Sequence, residues 1–152
     1  MKIGDRICLF RNLRGMSQKE LGLLVGFSET SAETRVAQYE VGKRKPKAEL
    51  AEAFAKALKV SPFALRIPDI NSPLLLMHIL FALEDDYGMW IEMNNKAVAL
   101  NFDPYNHDDA ARLFEMLCAW RDVFEKRING KFSKEEYDNW RYNYLDTGGD
   151  VK

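Results

Sequence analysis

Apolar residues recur at three- and four-residue spacings along the first 67 residues, which predicts a series of short amphipathic helices. Gly15, Gly26 and Gly42 separate the first segments, and glycine is a common residue just past a helix end. Two more segments with this spacing follow, at residues 47–58 and 63–67. In the first three helices, the residues that we predict to face inward are Ile3, Ile7, Phe10, Leu21, Leu24, Val25, Val36 and Tyr39. The pattern therefore predicts a five-helix domain.

Polar residues mark the expected starts of two of these helices. Ser17 and Glu20 are three residues apart and form a capping box, in which each side chain bonds the backbone N–H of the other residue. Thr30 and Glu33 have the same spacing and predict the start of the third helix, with Ser28 as a competing start.

The pattern changes at residues 89–102, where alternating positions predict a β-hairpin. Asn94 and Asn95 tolerate positive φ and are expected to form a type I′ turn, which pairs Ile91 with Val98. One predicted helix precedes the hairpin and two follow it. We therefore predict a mainly α protein. A five-helix domain at residues 1–67 is followed at residues 68–152 by a small α+β domain with one β-hairpin and about three helices.

Charge is unevenly distributed along the chain, although the formal net charge is only −1. Residues 1–66 hold 13 Lys and Arg against 7 Asp and Glu, a balance of +6, whereas residues 67–152 hold 9 against 16, a balance of −7. A basic part joined to an acidic part indicates a module that faces nucleic acid beside a module with another task. A solvated surface without a positively charged partner is the simpler interpretation of the acidic part.

Few residues suggest catalysis or metal binding. Cys8 and Cys118 lie in apolar helical patterns, so we interpret both as buried thiols rather than as a disulfide or a zinc site. His107 beside Asp108 and Asp109 could bind a metal weakly, but helix capping explains these residues more simply. The sequence shows no nucleophile–base pair, glycine-rich phosphate loop or metal-spaced ligand set. We therefore predict a protein that is not an enzyme and that carries no cofactor and no metal.

The chain is expected to be cytoplasmic. No apolar run approaches the roughly 18 residues that would suggest a membrane span, so we expect no membrane partner. The first ten residues have no signal-peptide organisation.

The third helix carries polar residues that suit contacts with DNA. With Val36 and Tyr39 facing the core, Thr34, Arg35 and Gln38 are predicted to face outward. Arg pairs with guanine O6 and N7, Gln pairs with adenine N6 and N7, and Thr contacts either a base or a phosphate. This helix is therefore predicted to enter the major groove.

A basic cluster follows the third helix. Gly42 is succeeded by Lys43, Arg44 and Lys45, and Pro46 stops further extension. Such a cluster alone is usually a solvated turn. After a helix with the composition described above, it predicts contacts with DNA phosphates.

These features together resemble the five-helix DNA-binding domain of the Cro/C1-type (Xre-type) helix-turn-helix regulators. The resemblance is carried by the pieces Ile7…Arg11…Gly15-Met16-Ser17-Gln18…Leu21, then Gly26, then Tyr39-Glu40…Gly42-Lys43-Arg44…Pro46. It implies a lambda-repressor-like fold for residues 1–67. It also implies that Gln18 meets a phosphate or supports a base contact, that Arg11 and Glu40 form a structural ion pair, and that Lys43 and Arg44 touch the DNA backbone.

The chain departs from the family spacing between Gly26 and Tyr39, where it is longer by about four residues, or one helical turn. The extra segment lies around Ser28–Glu33. It either extends the third helix at its N-terminus or forms a loop before that helix.

These observations lead us to expect a sequence-specific DNA-binding transcription regulator, which acts as a homodimer on double-stranded DNA and, by the resemblance, as a repressor. The predicted DNA-binding residues are Gln18, Thr34, Arg35, Gln38, Lys43 and Arg44, with Arg14 as a further phosphate contact. The C-terminal domain is the expected site of dimerisation, and it could also take an unknown small-molecule or protein effector. The alternative is a protein-interaction module, antitoxin-like or phage-derived, whose acidic C-terminal domain binds a protein partner.

Overall fold

The computed structural model describes residues 1–70, 72–95, 97–106 and 110–144 of the 152-residue chain. This part of the chain is mostly helical and contains one antiparallel hairpin. In chain order the elements are α1 (Ile3–Leu13), α2 (Gln18–Leu24), α3 (Ala32–Glu40), α4 (Ala48–Leu58), α5 (Pro62–Arg66), α6 (Pro73–Tyr87), β1 (Met89–Asn94), β2 (Ala97–Phe102), α7 (Ala110–Ile128) and α8 (Lys134–Tyr142). The predicted fold class, five helices followed by a hairpin with three helices, is confirmed.

The described residues form two compact units. The first unit contains Met1–Asp69 and, from later in the chain, residues 139–144. The second unit contains Ile70–Asp138. The predicted division into domains at residues 1–67 and 68–152 stays a prediction.

All five helices of the first unit contribute to one hydrophobic core. Its fully buried side chains include Ile7, Phe10, Leu21, Val36, Phe54, Leu58 and Leu65. Tyr142 of α8 adds to this core from far along the chain, because its ring meets the ring of Phe10 edge-on with centroids 4.8 Å apart. The Tyr142 carbonyl also accepts a hydrogen bond of 2.9 Å from the backbone N–H of Ser61.

The last turn of α2 differs from the prediction. Leu21 is fully buried and Val25 packs against the core, but Leu24 is 61% exposed, so the prediction that Leu24 faces inward is wrong. The reason is that Gly22 is buried against Ala32 of α3. The contact face of α2 therefore runs through positions 21, 22 and 25, and Leu24 points away from it.

The two predicted capping boxes have different outcomes. Ser17 and Glu20 form the predicted capping box, with nitrogen-to-oxygen distances of 2.6 and 3.1 Å. The box predicted between Thr30 and Glu33 is wrong, because α3 begins after Ser31 and no side chain caps it.

The extra segment forms a turn ahead of α3. The Ser28 carbonyl accepts from the N–H groups of Ser31 and Ala32, and the Ser28 and Ser31 hydroxyls lie 2.8 Å apart. Only the last two positions of the segment, Ala32 and Glu33, are helical.

The hairpin of the second unit has the predicted strands but another register. Ile91 pairs with Leu100 and Met93 pairs with Val98, so the predicted pairing of Ile91 with Val98 is wrong. The tight turn begins one residue later than predicted, at Asn95, whose φ is 54°. A shift of two residues in the pairing keeps every side chain on its original face, since side chains alternate with a period of two.

Much of the apolar surface of the second unit is exposed. We define the hairpin face as Ile91, Met93, Val98 and Leu100, which the register brings to one side of the sheet. Met93 is 80% exposed and Val98 62% exposed. A two-stranded hairpin is marginally stable in water by itself. Burying the hairpin face against another apolar surface would therefore be strongly favourable.

Candidate nucleic-acid interface

Helix α3 is fixed by close packing against α2. A Cβ atom built on Gly22 would lie only 2.7 Å from the Cβ and the carbonyl oxygen of Ala32, so the two backbones approach as closely as glycine permits. Ala32, Val36 and Tyr39 are buried on this side of α3. Gly22 was not among the residues predicted to matter, although a glycine beside the buried Leu21 is a signal for such an approach.

The side of α3 away from the core carries Thr34 and Gln38. These residues are four apart and hence neighbours on one helix face, and successive residues turn by about 100°. Thr34 is exposed and Gln38 is half-buried. A hydroxyl and a primary amide on one face offer both donors and acceptors to an opposing surface.

Arg35 lies on the flank of α3 rather than on this outward face. Its guanidinium carbon sits 3.8 Å from the centroid of the Phe27 ring, and Phe27 belongs to the turn after α2. Its Nε atom is buried and has no hydrogen-bond partner within the described part of the chain. This contact of Phe27 was not predictable from the sequence, because Phe27 and Arg35 are eight residues apart and belong to different elements.

Gln18, at the start of α2, belongs to a buried network. Its amide nitrogen donates to Glu40 Oε2 at 2.7 Å, and Arg11 donates to both oxygens of the same carboxylate at 2.6 and 3.1 Å. The side chain of Glu40 is only 5% exposed. This geometry contains the ion pair between Arg11 and Glu40 that the resemblance implies, and it fixes the Gln18 side chain through its nitrogen.

The Glu40 carboxylate is held in its charged form. Burial alone opposes the charge, but the hydrogen bonds from Arg11 and Gln18 outweigh that effect and keep the pKa of Glu40 below its ordinary value. The hydrogen bond from Arg11 to Glu40 likewise raises the pKa of the Arg11 guanidinium. The network therefore stays ionised at neutral pH and anchors the start of α2 to the end of α3.

The basic cluster lies in the loop that leaves α3. Gly42 adopts a φ of 74°, which ends the helix, and the backbone N–H of Arg44 donates to the Gln38 carbonyl at 3.2 Å. Lys43 and Arg44 are exposed, and across residues 1–70 and the other described ranges neither side chain pairs with a carboxylate. Their charges are free to meet an anion.

Arg14 has a structural task. Its guanidinium donates to the carbonyls of Leu58 and Lys59 at 3.0 and 3.1 Å, and these carbonyls end α4. A cation at the C-terminal end of a helix is favourable because it opposes the helix dipole. The predicted phosphate contact of Arg14 stays a prediction. The two hydrogen bonds do not favour it, because they already engage Nε and one terminal nitrogen of the guanidinium.

The extra turn before α3 is tied back to α2 by an ion pair. Lys19 Nζ lies 2.9 Å from Glu29 Oε1. The hydrogen bond from Lys19 lowers the pKa of the Glu29 carboxyl. The exposed carboxylate of Glu29 is therefore paired with a cation of α2.

The described ranges contain no group of three or more His, Cys, Asp or Glu side chains that could hold a metal ion. His107, Asp108 and Asp109, which the sequence analysis considered, lie outside the described residues. Cys8 and Cys118 are both half-buried and unpaired. Within the same ranges, none of the helices has the length and apolar character needed to cross a membrane.

Comparison with known proteins gives one family model and four matching structures, of which two are described. Residues 9–65 match a family model described as helix-turn-helix. The P22 c2 repressor, solved in complex with a synthetic operator, is 32% identical over 45% of this chain and 98% of its own, with a TM-score of 0.40. The transcriptional regulator BswR is 30% identical over 56% of this chain and 94% of its own, with a TM-score of 0.43. No curated protein sequence matches the chain.

Proposed function

We propose that this chain, which belongs to the helix-turn-helix family of Cro/C1-type DNA-binding regulators through its residues 9–65, represses transcription by binding a specific DNA sequence as a dimer. In this proposal α3 enters the major groove and the loop after it holds phosphates. Binding to DNA is compatible with the cytoplasmic location that we expect from the sequence. The resemblance to Cro/C1-type regulators favours repression over activation.

One observation carries the proposal. The outward face of α3 presents Thr34 and Gln38, and the unpaired cations Lys43 and Arg44 follow directly in the chain. Specific DNA binding requires this combination, because base edges provide the sequence information and phosphates provide most of the affinity. Gln18 is fixed by Glu40 and is proposed to support the same contact surface.

The experiment that tests the proposal is selection of bound sites from a random pool of double-stranded DNA, followed by titration at two salt concentrations. A palindromic consensus with steep salt dependence would support a dimer that reads sequence. No enrichment and no salt-sensitive binding would overturn it and would favour the alternative, a module whose acidic second unit binds a protein.

Replacing Gln38 by alanine is expected to relax the preference for adenine at one position of each half-site by about 1–3 kcal/mol. The reason is that a primary amide satisfies the N6 and N7 groups of adenine together, and alanine satisfies neither. Competition titration with sites that carry each base at every position measures this. A loss spread evenly over all sites would contradict a base-reading role for Gln38.

Replacing Lys43 by alanine is expected to weaken binding to every site about equally and to lower the salt slope by about one unit. Its exposed, unpaired ammonium contributes one phosphate contact in the proposal. Lys131→Ala is the matched control, since it removes one exposed cation from the second unit. A Lys43→Ala protein that changed site preference at an unchanged salt slope would contradict the phosphate role.

The dimer in the proposal is formed by the second unit. One helix-turn-helix domain buries a modest interface with DNA, so useful specificity normally requires two domains on half-sites about 34 Å apart. The hairpin face offers four exposed apolar side chains without a charge among them. A second copy of this chain is the proposed partner, since an isologous contact lets the same apolar face cover itself.

Introducing a charge into the hairpin face is expected to dissociate the dimer. Met93→Glu would bury one carboxylate from each copy, so the dissociation constant should rise by at least about 100-fold. Ala97→Glu is the matched control, because it adds the same charge to the opposite face of the hairpin. Sedimentation equilibrium measures both variants. A wild-type protein that stays monomeric at every concentration would contradict this part of the proposal.

A further inference from the structure

The stacking of Arg35 on Phe27 controls which donors of Arg35 can reach a ligand. The guanidinium carbon lies 3.8 Å from the ring centroid, so one face of the planar group is covered by the ring. Nε is buried and makes no hydrogen bond with any described residue. Because no described carboxylate pairs with Arg35, the two terminal nitrogens are the donors that remain for an incoming group.

The ring that holds Arg35 is itself held in place. Phe27 is buried, with its ring centroid 6.3 Å from the Phe54 ring in an edge-on arrangement and 6.3 Å from the Tyr39 ring in a stacked one. Tyr39 belongs to α3 and Phe54 to α4. A ring fixed from two sides restricts the rotamers of a guanidinium that lies on it, and a side chain restricted before binding loses less entropy on binding.

We infer that Phe27 is a positioning residue that presents the two terminal nitrogens of Arg35, end-on, to a single guanine base. This rests on the proposed function, because it requires α3 to lie in the major groove. Guanine O6 and N7 are two acceptors side by side, which two terminal nitrogens of one guanidinium satisfy together. An arginine with a buried Nε cannot use the side-on arrangement that involves Nε, so the stack selects the end-on one.

The inference separates two kinds of effect that a substitution of Phe27 would have. Loss of the ring removes the support under Arg35 and so lowers the preference for guanine at one position. Loss of apolar volume lowers stability in the same way at any core position and leaves the preference unchanged. Base preference is therefore the measurement that a merely structural role of Phe27 would not alter.

The test is a double-mutant cycle on base preference. The Arg35→Ala variant should lower the preference for guanine by between about 5-fold and 150-fold. Phe27→Leu, which keeps an apolar side chain but removes the ring, should lower it by about 2-fold to 30-fold. The double variant should match Arg35→Ala, because without the guanidinium the ring has nothing to position.

Three further variants keep the test decisive. Phe27→Tyr retains the ring and should retain the preference, even if Phe27→Leu folds poorly. Arg35→Lys retains the charge but has no planar fork, so it should lose the preference. Phe10→Leu is the matched control for packing: it removes from the same core a ring that packs on Tyr142 rather than on Phe27, and it should lower the unfolding midpoint without changing the preference.

Two results would overturn the inference in distinguishable ways. If Phe27→Leu leaves the preference intact while Arg35→Ala abolishes it, or if the two losses simply multiply, Phe27 does not position Arg35. If Arg35→Ala leaves the preference intact, Arg35 does not read a base, and the inference fails with it. In either case, salt-sensitive and sequence-selective binding by the wild-type protein would still support the proposed function.

Discussion

Replacing Glu40 by alanine is expected to lower the free energy of unfolding by about 3 kcal/mol, which is the lower end of the range for a broken buried ion pair. The carboxylate accepts from both Arg11 and Gln18, so its removal leaves the Arg11 charge without its counter-charge. Arg11 is 13% exposed and keeps its hydrogen bond to the Met16 carbonyl, which moderates the loss. Urea unfolding, monitored by circular dichroism, measures this loss of stability.

The matched control for this experiment is Glu29→Ala. Glu29 also pairs with a cation of another element, Lys19, but both side chains are exposed. Exposed ion pairs contribute little because water screens them, so the unfolding midpoint of Glu29→Ala should stay close to that of the wild type. Equal losses for the two variants would contradict the view that burial makes the Glu40 network strong.

The same network predicts how stability depends on pH. The pKa of Glu40 is lower in the folded protein than its ordinary value of 4.5, so its contribution is present above pH 4.5 and is lost as the pH falls through the folded pKa. Glu40→Gln has no such group and should lose less stability on acidification than the wild type. Identical acid dependence of the two proteins would contradict this assignment.

Replacing Gly22 by alanine is expected to lower the free energy of unfolding by about 3 kcal/mol, the upper end of the usual range for overpacking. The added Cβ would meet the Cβ and the backbone of Ala32 at 2.7 to 2.8 Å, and backbone atoms cannot move aside as a flexible side chain can. Alanine favours the helical conformation over glycine by about 1 kcal/mol, so a loss of stability isolates the steric effect. Thermal and urea unfolding measure it.

Gly15→Ala serves as the comparison for Gly22→Ala. Gly15 has a φ of 65° and open space around its Cα, so alanine there adds backbone strain of about 1–2 kcal/mol without a steric clash. Gly22→Ala should therefore be the more damaging of the two. A Gly22→Ala protein at least as stable as the wild type would show that α2 and α3 can separate without cost.

The sequence predicted the features that depend on local patterns. Helix ends marked by glycine, the capping box at Ser17 and Glu20, and the two hairpin strands all follow from residues within a few positions of one another. The hairpin register was not predictable in this way, because Asn94 and Asn95 both tolerate the positive φ that the turn needs. A shift of two residues in the pairing also leaves every side chain on the same face, so the alternation cannot decide between the two registers. Helix α3 begins next to Ser31, close to the predicted start, but the capping box expected at Thr30 and Glu33 did not form, because a turn around Ser28 precedes the helix.

The candidate site was predictable only in part for a related reason. Periodicity assigns Thr34, Arg35 and Gln38 to the side of α3 away from Val36, but it cannot separate the outward face from the flank. Arg35 occupies the flank because Phe27, eight residues earlier in a separate turn, lies beneath it. Contacts of this kind depend on how helices cross, and helix crossing is set by close approaches such as that of Gly22 to Ala32.

The contact of Tyr142 with Phe10 and Ser61 bears on how the protein is made. During synthesis, residues 1–69 leave the ribosome while residue 142 has still to be translated, so the nascent chain lacks the ring that packs on Phe10. The helix-turn-helix unit reaches its full set of contacts only after the intervening second unit has emerged. A nonsense mutation after residue 69 would therefore yield a fragment that has every proposed DNA contact and an incomplete core.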